Sequence, residues 1–144
     1  MTSFCPDSNV WIALAYERHE HHKAAAAWFE DLDGEIAYFC RLTQLGFLRL
    51  LTRPAVMGRD VRTQAKAWQV YDAFQTDPRV SFQEEADAGE VESALRRLTS
   101  TGRSSTKQWP DAYLAAFAQA AGLRLVTFDR ALRSMAGNNS MLLS

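Results

Sequence analysis

Phe4-Cys5-Pro6-Asp7-Ser8-Asn9 is a short apolar run that ends in an acid just where a helix begins. The same kind of junction recurs in Trp109-Pro110-Asp111-Ala112-Tyr113-Leu114-Ala115-Ala116 and in Leu125-Val126-Thr127-Phe128-Asp129. One aspartate at such a place is ordinarily a cap, because its carboxylate accepts the free N–H groups of the first turn. Three of them in one alternating chain point to a shared cation. Clustered carboxylates repel, and they protonate unless a cation neutralises them. Mg²⁺ or Mn²⁺ meets oxygen ligands while keeping several waters, and it can activate water and offset charge on a phosphoryl oxygen.

Outward from these junctions the chain alternates. Apolar runs predict strands over 3–6, 35–39, 79–82, 123–127 and 141–143. Helical patterning predicts helices over 8–16, 20–32, 62–74, 87–98, 110–121 and 129–135. Thr43 is the expected N-cap of another helix that runs to Thr52, ended by Arg53-Pro54. Pro110 suits a first turn, and Gly122 suits a helix end. Residues 102–108 read as a polar loop. This order predicts an α/β fold with a central, mainly parallel sheet covered on both faces, in which ligands gather beyond the carboxyl ends of the strands. Asp7 and Asp129 lie just past such ends, and Asp111 opens a helix.

A chain of 144 residues with 47% hydrophobic side chains is expected to form one domain, 1–144, with a substantial core. It has no apolar run long enough to cross a bilayer and no secretory leader pattern, so a soluble, cytoplasmic protein with no membrane partner is expected. The net charge of −1 does not mark the molecule as a nucleic-acid binder, but its distribution is uneven. Arg41, Arg49, Arg53, Arg59, Arg62 and Lys66 face a single acid, Asp60, in their stretch, and Arg96, Arg97, Arg103 and Lys107 form a second basic stretch. Basic flanks beside an acidic cleft suit a polyanion, although such clusters are commonly solvated helix faces. Arg41, Arg49, Arg103 and Lys107 are the expected phosphate contacts, with Ser104-Ser105-Thr106 giving their loop freedom to adapt.

Four segments, Asp7–Leu14, Phe39–Thr52, Asp111–Ala118 and Leu125–Asp129, together resemble PIN-domain ribonucleases, most nearly the VapC toxins of toxin–antitoxin pairs. The likeness covers nearly the whole chain in the expected order. It implies a three-layer α/β/α PIN-like domain, an acidic pocket for Mg²⁺ or Mn²⁺, and hydrolysis of structured RNA such as tRNA or rRNA to 5′-phosphate and 3′-hydroxyl ends. It also implies a VapB-like antitoxin and a homodimer. Asp7, Asp111 and Asp129 match the acidic positions as catalytic and metal-binding residues. The fourth, usually glutamate, is expected at Gln44, where a neutral amide can position a water but supplies no charge. The alternative is a chain that holds RNA or a protein without cutting. Asn9 is expected to orient Asp7 or touch a phosphate, and Thr127 to bond Asp129 or a water.

The remaining features have plainer readings. His19, His21 and His22 are expected to pack in a turn between helices. Trp11, Trp28 and Trp68 are expected as core or dimer contacts on apolar helix faces, with Trp109 at the cleft edge. Cys5 and Cys40 read as buried, reduced thiols. There is no Gly-rich phosphate loop, dinucleotide fingerprint or nucleophile elbow.

Overall fold

The structure is a computed structural model and describes residues 2–144. Five short strands form one sheet: β1 (Phe4–Pro6), β2 (Ala37–Phe39), β3 (Val80–Phe82), β4 (Arg124–Thr127) and β5 (Ser140–Leu142). Their spatial order is β3-β2-β1-β4-β5, and every pairing is parallel. The chain therefore builds outward from β1 on one flank, then returns to lay β4 on the other. That reversal opens a crevice between the carboxyl ends of β1 and β4. Phe4, Cys5 and Pro6 pair with Arg124, Leu125 and Val126, so both strands end at the same level and Asp7 and Thr127 emerge side by side.

Helices cover both faces. Before β3 the chain forms α1 (Ser8–Ala15), α2 (His22–Glu30), α3 (Arg41–Leu51), the short α4 (Pro54–Met57) and α5 (Gln64–Gln75). After β3 come α6 (Ala88–Thr99), α7 (Trp109–Ala121) and α8 (Arg130–Ala136). Alternation along the strands divides the core. Phe4 and Val126 point to the side of α1, α2, α3 and α5, where Val10, Trp11, Phe29, Phe47 and Tyr71 pack. Cys5 and Leu125 point to the side of α7 and α8, against Leu114, Phe117 and Leu132. Trp11 stacks on Phe39 with ring centroids 3.8 Å apart, tying α1 to β2. Both cysteines are free and buried, on the α7 side. The helix α6 lies outside α7, joined through Val91, Ala94 and Ala116. Among the described residues no helix is long and apolar enough to cross a membrane.

Several expected boundaries move. The helix expected to be capped by Thr43 begins three residues earlier, with Cys40 as its N-cap. Thr43 instead sits in the first turn and reaches back to accept the Cys40 backbone N–H at 2.9 Å, so it closes the turn from inside. Pro54 does end α3, but it then opens α4 at a first-turn position where its missing N–H is harmless. Thr63 caps α5, accepting from the Lys66 backbone N–H at 3.2 Å.

Candidate active site

Asp7 ends β1 and caps α1. Its Oδ1 accepts the backbone N–H groups of Asn9 at 2.8 Å and Val10 at 3.3 Å. Its Oδ2 accepts the Thr127 hydroxyl at 2.5 Å. Only 6% of the residue is exposed. Burial is the largest influence on the carboxyl and raises its pKa to about 6. The bonds from Thr127, Val10 and Asn9 oppose that rise, and the nearby Asp111 adds to it.

Thr127 joins the two strand ends. Its hydroxyl gives its proton to Asp7 and accepts the Asp129 backbone N–H at 2.9 Å. Asp129 in turn caps α8, its Oδ1 accepting from Ala131 at 2.8 Å and Leu132 at 3.3 Å. One oxygen of Asp129 is thus spent on the helix, and the other is left for a ligand. Asp111 stands in the first turn of α7, half-buried. Its pKa is raised, first by burial and then by Asp129. That electrostatic link places the two carboxylates within each other's field.

All three aspartates line one open pocket of about 350 Å³ at the carboxyl edge of the sheet. Ser8 and Asn9 line it from α1, Gly46 and Arg49 from α3, and Pro110 and Leu114 from α7. Asn9 is exposed at the rim, and Arg49 supplies the pocket's basic side chain. Among the described residues no three His, Cys, Asp or Glu side chains are drawn together as a ready-made ligand shell. The carboxylates stand around the pocket wall instead. A donor set of hard oxygens, spaced around an open pocket, fits a hydrated Mg²⁺ or Mn²⁺ better than a closed cage.

A family model described as the PIN domain matches residues 4–138. Ribonuclease VapC41 of Mycobacterium tuberculosis is 38% identical over 142 residues, covering 96% of this chain and 97% of that protein. The chain is a VapC-type member of the PIN-domain family. Its fold is shared by two solved structures. One is VapC20 of Mycobacterium tuberculosis, a sarcin–ricin loop cleaving toxin, with a TM-score of 0.66 at 18% identity over 92% of this chain and 94% of that one. The other is VapBC2 from Rickettsia felis bound to a DNA fragment from their promoter, with a TM-score of 0.71 at 11% identity over 99% of this chain and 100% of that one.

This PIN domain does not bring every expected residue to the pocket. Gln44 is absent from its lining. Its side chain is buried on another face of α3, with Oε1 accepting from Arg41 Nη1 at 2.6 Å. From α3 the pocket is lined by Leu42, Thr43, Leu45, Gly46 and Arg49, while the Gln44 side chain turns to Arg41 instead. No carboxylate comes from this helix. Arg41 also lies off the pocket wall, as do Arg103 and Lys107, which are exposed in the loop before α7.

The aromatic and histidine expectations divide similarly. Trp11 and Trp28 are core residues, whereas Trp68 is 45% exposed and Trp109 is 57% exposed. Trp28 packs edge-on against Phe4, with ring centroids 5.5 Å apart. His22 Nδ1 meets the Ala13 carbonyl at 2.7 Å, and His21 stacks on Phe128 with centroids 4.4 Å apart. The histidines thus fasten the turn between α1 and α2.

Gly46 has a steric reason. A Cβ there would lie 2.2 Å from Ser8 Oγ and 3.0 Å from Ser8 Cβ. Its bare backbone lets α3 close on the first turn of α1, the turn that Asp7 caps. Gly46→Ala is expected to destabilise by about 1–3 kcal/mol through overpacking, despite the better helix propensity of alanine. Urea unfolding would read this, and Gly46→Ala combined with Ser8→Gly should recover most of the loss.

Proposed function

We propose that this chain is a divalent-metal-dependent endoribonuclease and the toxin of a VapBC-type pair. The observation that carries the reading is the meeting of Asp7, Asp111 and Asp129, from three separate segments, on one pocket at the switch point of a parallel sheet. VapC-type PIN nucleases are generally divalent-metal dependent, and the donor chemistry here accords with that.

In this reading Asp7, Asp111 and the free oxygen of Asp129 hold Mg²⁺ or Mn²⁺. When bound, the ion supplies Lewis-acid stabilisation of charge at phosphorus and eases deprotonation of water. The protein's own residues supply geometry. Asp7 is held by two backbone donors and the Thr127 hydroxyl, so its carboxylate cannot rotate out of the pocket. Thr127 fixes Asp129 relative to Asp7 through the Asp129 backbone. Arg49 offers a positive charge to the phosphodiester, and Asn9 offers an amide at the rim. A water oxygen forms a bond to phosphorus, the bond to the 3′ oxygen breaks, and that oxygen takes up a proton. The products are a 5′-phosphate and a 3′-hydroxyl.

Partners follow from the same reading. A VapB-like antitoxin would neutralise the acidic pocket by inserting a basic side chain. A homodimer would cover Leu45, 56% exposed, and Trp68 beside it, which line one shallow cavity with Leu48 and Thr52. Monomer alone at micromolar concentration would remove the dimer from this description.

Sequencing of RNA ends after induced expression tests the function. New 5′-phosphate ends at a few defined positions are expected from the wild type. Asp111→Ala should reduce them by about two orders of magnitude or more, the scale of losing one preorganised electrostatic contact. Equal cutting by Asp111→Ala would contradict the assignment.

A further inference from the structure

Gln44 is 5% exposed, and a buried amide in this place needs a reason. Its Oε1 accepts from Arg41 Nη1 at 2.6 Å. On the neighbouring helix α5 the Tyr71 hydroxyl accepts from Gln75 Nε2 at 3.0 Å. The guanidinium of Arg41 lies over the Phe82 ring, 4.9 Å from its centroid. Arg41 opens α3 directly after β2, and Phe82 ends β3. Both therefore stand at the carboxyl edge of the sheet, the edge that carries the acidic pocket.

Arg41 is nonetheless exposed, and among the described residues it joins no ion pair. A long flexible cation is thus held in one posture by an aromatic face and a neutral acceptor. Side-chain entropy lost in that posture is spent on folding, so less remains to be lost on binding a ligand. The neutrality of the acceptor matters as much as its position. A carboxylate at residue 44 would aim the guanidinium equally well but would cancel its charge. An amide aims it and leaves the full charge for an anion, and a guanidinium so presented matches a phosphate.

We propose that Arg41 binds a backbone phosphate of the RNA strand that passes the acidic pocket, and that Gln44 is its positioning residue. This rests on the ribonuclease reading above. It gives Gln44 a task in substrate binding, separate from the cation and the attacking water.

Gln44→Glu separates the two roles, because it restores the acid expected at the fourth metal position. The probe is a labelled fragment of the RNA whose cut ends the expression experiment identifies. Cleavage is followed with Mn²⁺, and binding is followed with Ca²⁺ in its place across a salt series. Gln44→Glu should raise KM about three- to tenfold, leave kcat within about twofold, and leave Mn²⁺ affinity unchanged. Its plot of log affinity against log salt should be shallower by about 0.7, the value of one single-strand phosphate contact. Arg41→Ala should raise KM by about tenfold with the same loss of slope. The double variant should be no worse than Arg41→Ala, since both changes act through one contact. Gln44→Met, which folds without a buried charge, should raise KM while keeping the wild-type slope, because Arg41 is loosened but not neutralised.

Tighter Mn²⁺ binding or a higher kcat in Gln44→Glu would overturn the proposal and return residue 44 to the metal site. So would a wild-type KM in either Arg41→Ala or Gln44→Glu. If the wild type cuts no RNA, the ribonuclease reading fails and this inference fails with it. If the wild type cuts normally and the variants match it, only the inference fails.

Discussion

Asp7→Asn is expected to yield a folded protein that is more stable than the wild type in the absence of metal and has lost its nuclease activity. The stability half follows from burial. The Asp7 carboxyl is raised from 3.8 to about 6, chiefly by desolvation. Its folded-state pKa lies above the unfolded value, so its contribution to stability is fully present below about pH 4 and is lost as pH rises through 6. At pH 7.5 the ionised, buried group costs roughly 3 kcal/mol. Asparagine carries no charge to desolvate and caps a helix as well as aspartate does. Urea unfolding in EDTA should therefore show Asp7→Asn ahead of the wild type by roughly 2–3 kcal/mol at pH 7.5 and nearly level with it at pH 4. Adding Mn²⁺ at pH 7.5 should raise the wild-type melting temperature and leave the variant unmoved. The activity half follows from the carboxylate's place on the pocket. Cleavage should fall on the order of a thousandfold. A variant that is less stable than the wild type at both pH values, or one that cuts RNA normally, would contradict this account of Asp7.

The second large effect is expected at Trp11, which carries no chemistry. It is wholly buried, stacked on Phe39 and met edge-on by Phe74 at 5.3 Å. Trp11→Ala should cost about 3–5 kcal/mol, the range for deleting a large aromatic from a packed core. Against a domain stability of about 5–15 kcal/mol, that leaves a marginal fold. The indole is not ideally placed, because among the described residues its Nε1 is buried without a hydrogen-bond partner. An orphaned donor costs about 1–3 kcal/mol, so Trp11→Phe removes volume and a penalty together. Trp11→Phe should lose less than half of what Trp11→Ala loses, and a urea series compares the two directly. Because α1 is held to β2 through this stack, Trp11→Ala should also weaken Mn²⁺ binding, as the first turn capped by Asp7 loosens.

Much of this arrangement is legible in the chain. The strands before Asp7 and Asp129 are short apolar runs closed by an acid that caps the next helix. Alternation of strands and helices predicts a parallel sheet, and β1 to β5 are all parallel. What the residues do not reveal by themselves is the order β3-β2-β1-β4-β5, which decides that β1 and β4 are neighbours. That order depends on packing between segments more than a hundred residues apart, and no local preference encodes it.

The missed details are matters of helical phase and of context. Thr43 has the side chain of a cap, but Cys40 takes the cap position because the extended backbone runs on to it and Thr43 bonds back from the first turn. Gln44 is the residue expected at the fourth acidic position, yet its side chain meets Arg41 and is absent from the pocket lining. Trp68 follows the apolar spacing of α5, but the core side of that helix is taken by Ala67 and Tyr71, so the indole is left outside.

Anomalous scattering from Mn²⁺ in crystals of the wild-type protein would bear most directly on whether three separate aspartates serve one cation. A peak within coordination or water-bridged reach of Asp7, Asp111 and Asp129, missing in Asp7→Asn, is the expected result. A peak bound elsewhere while that pocket stays without manganese would contradict the site and the nuclease built on it.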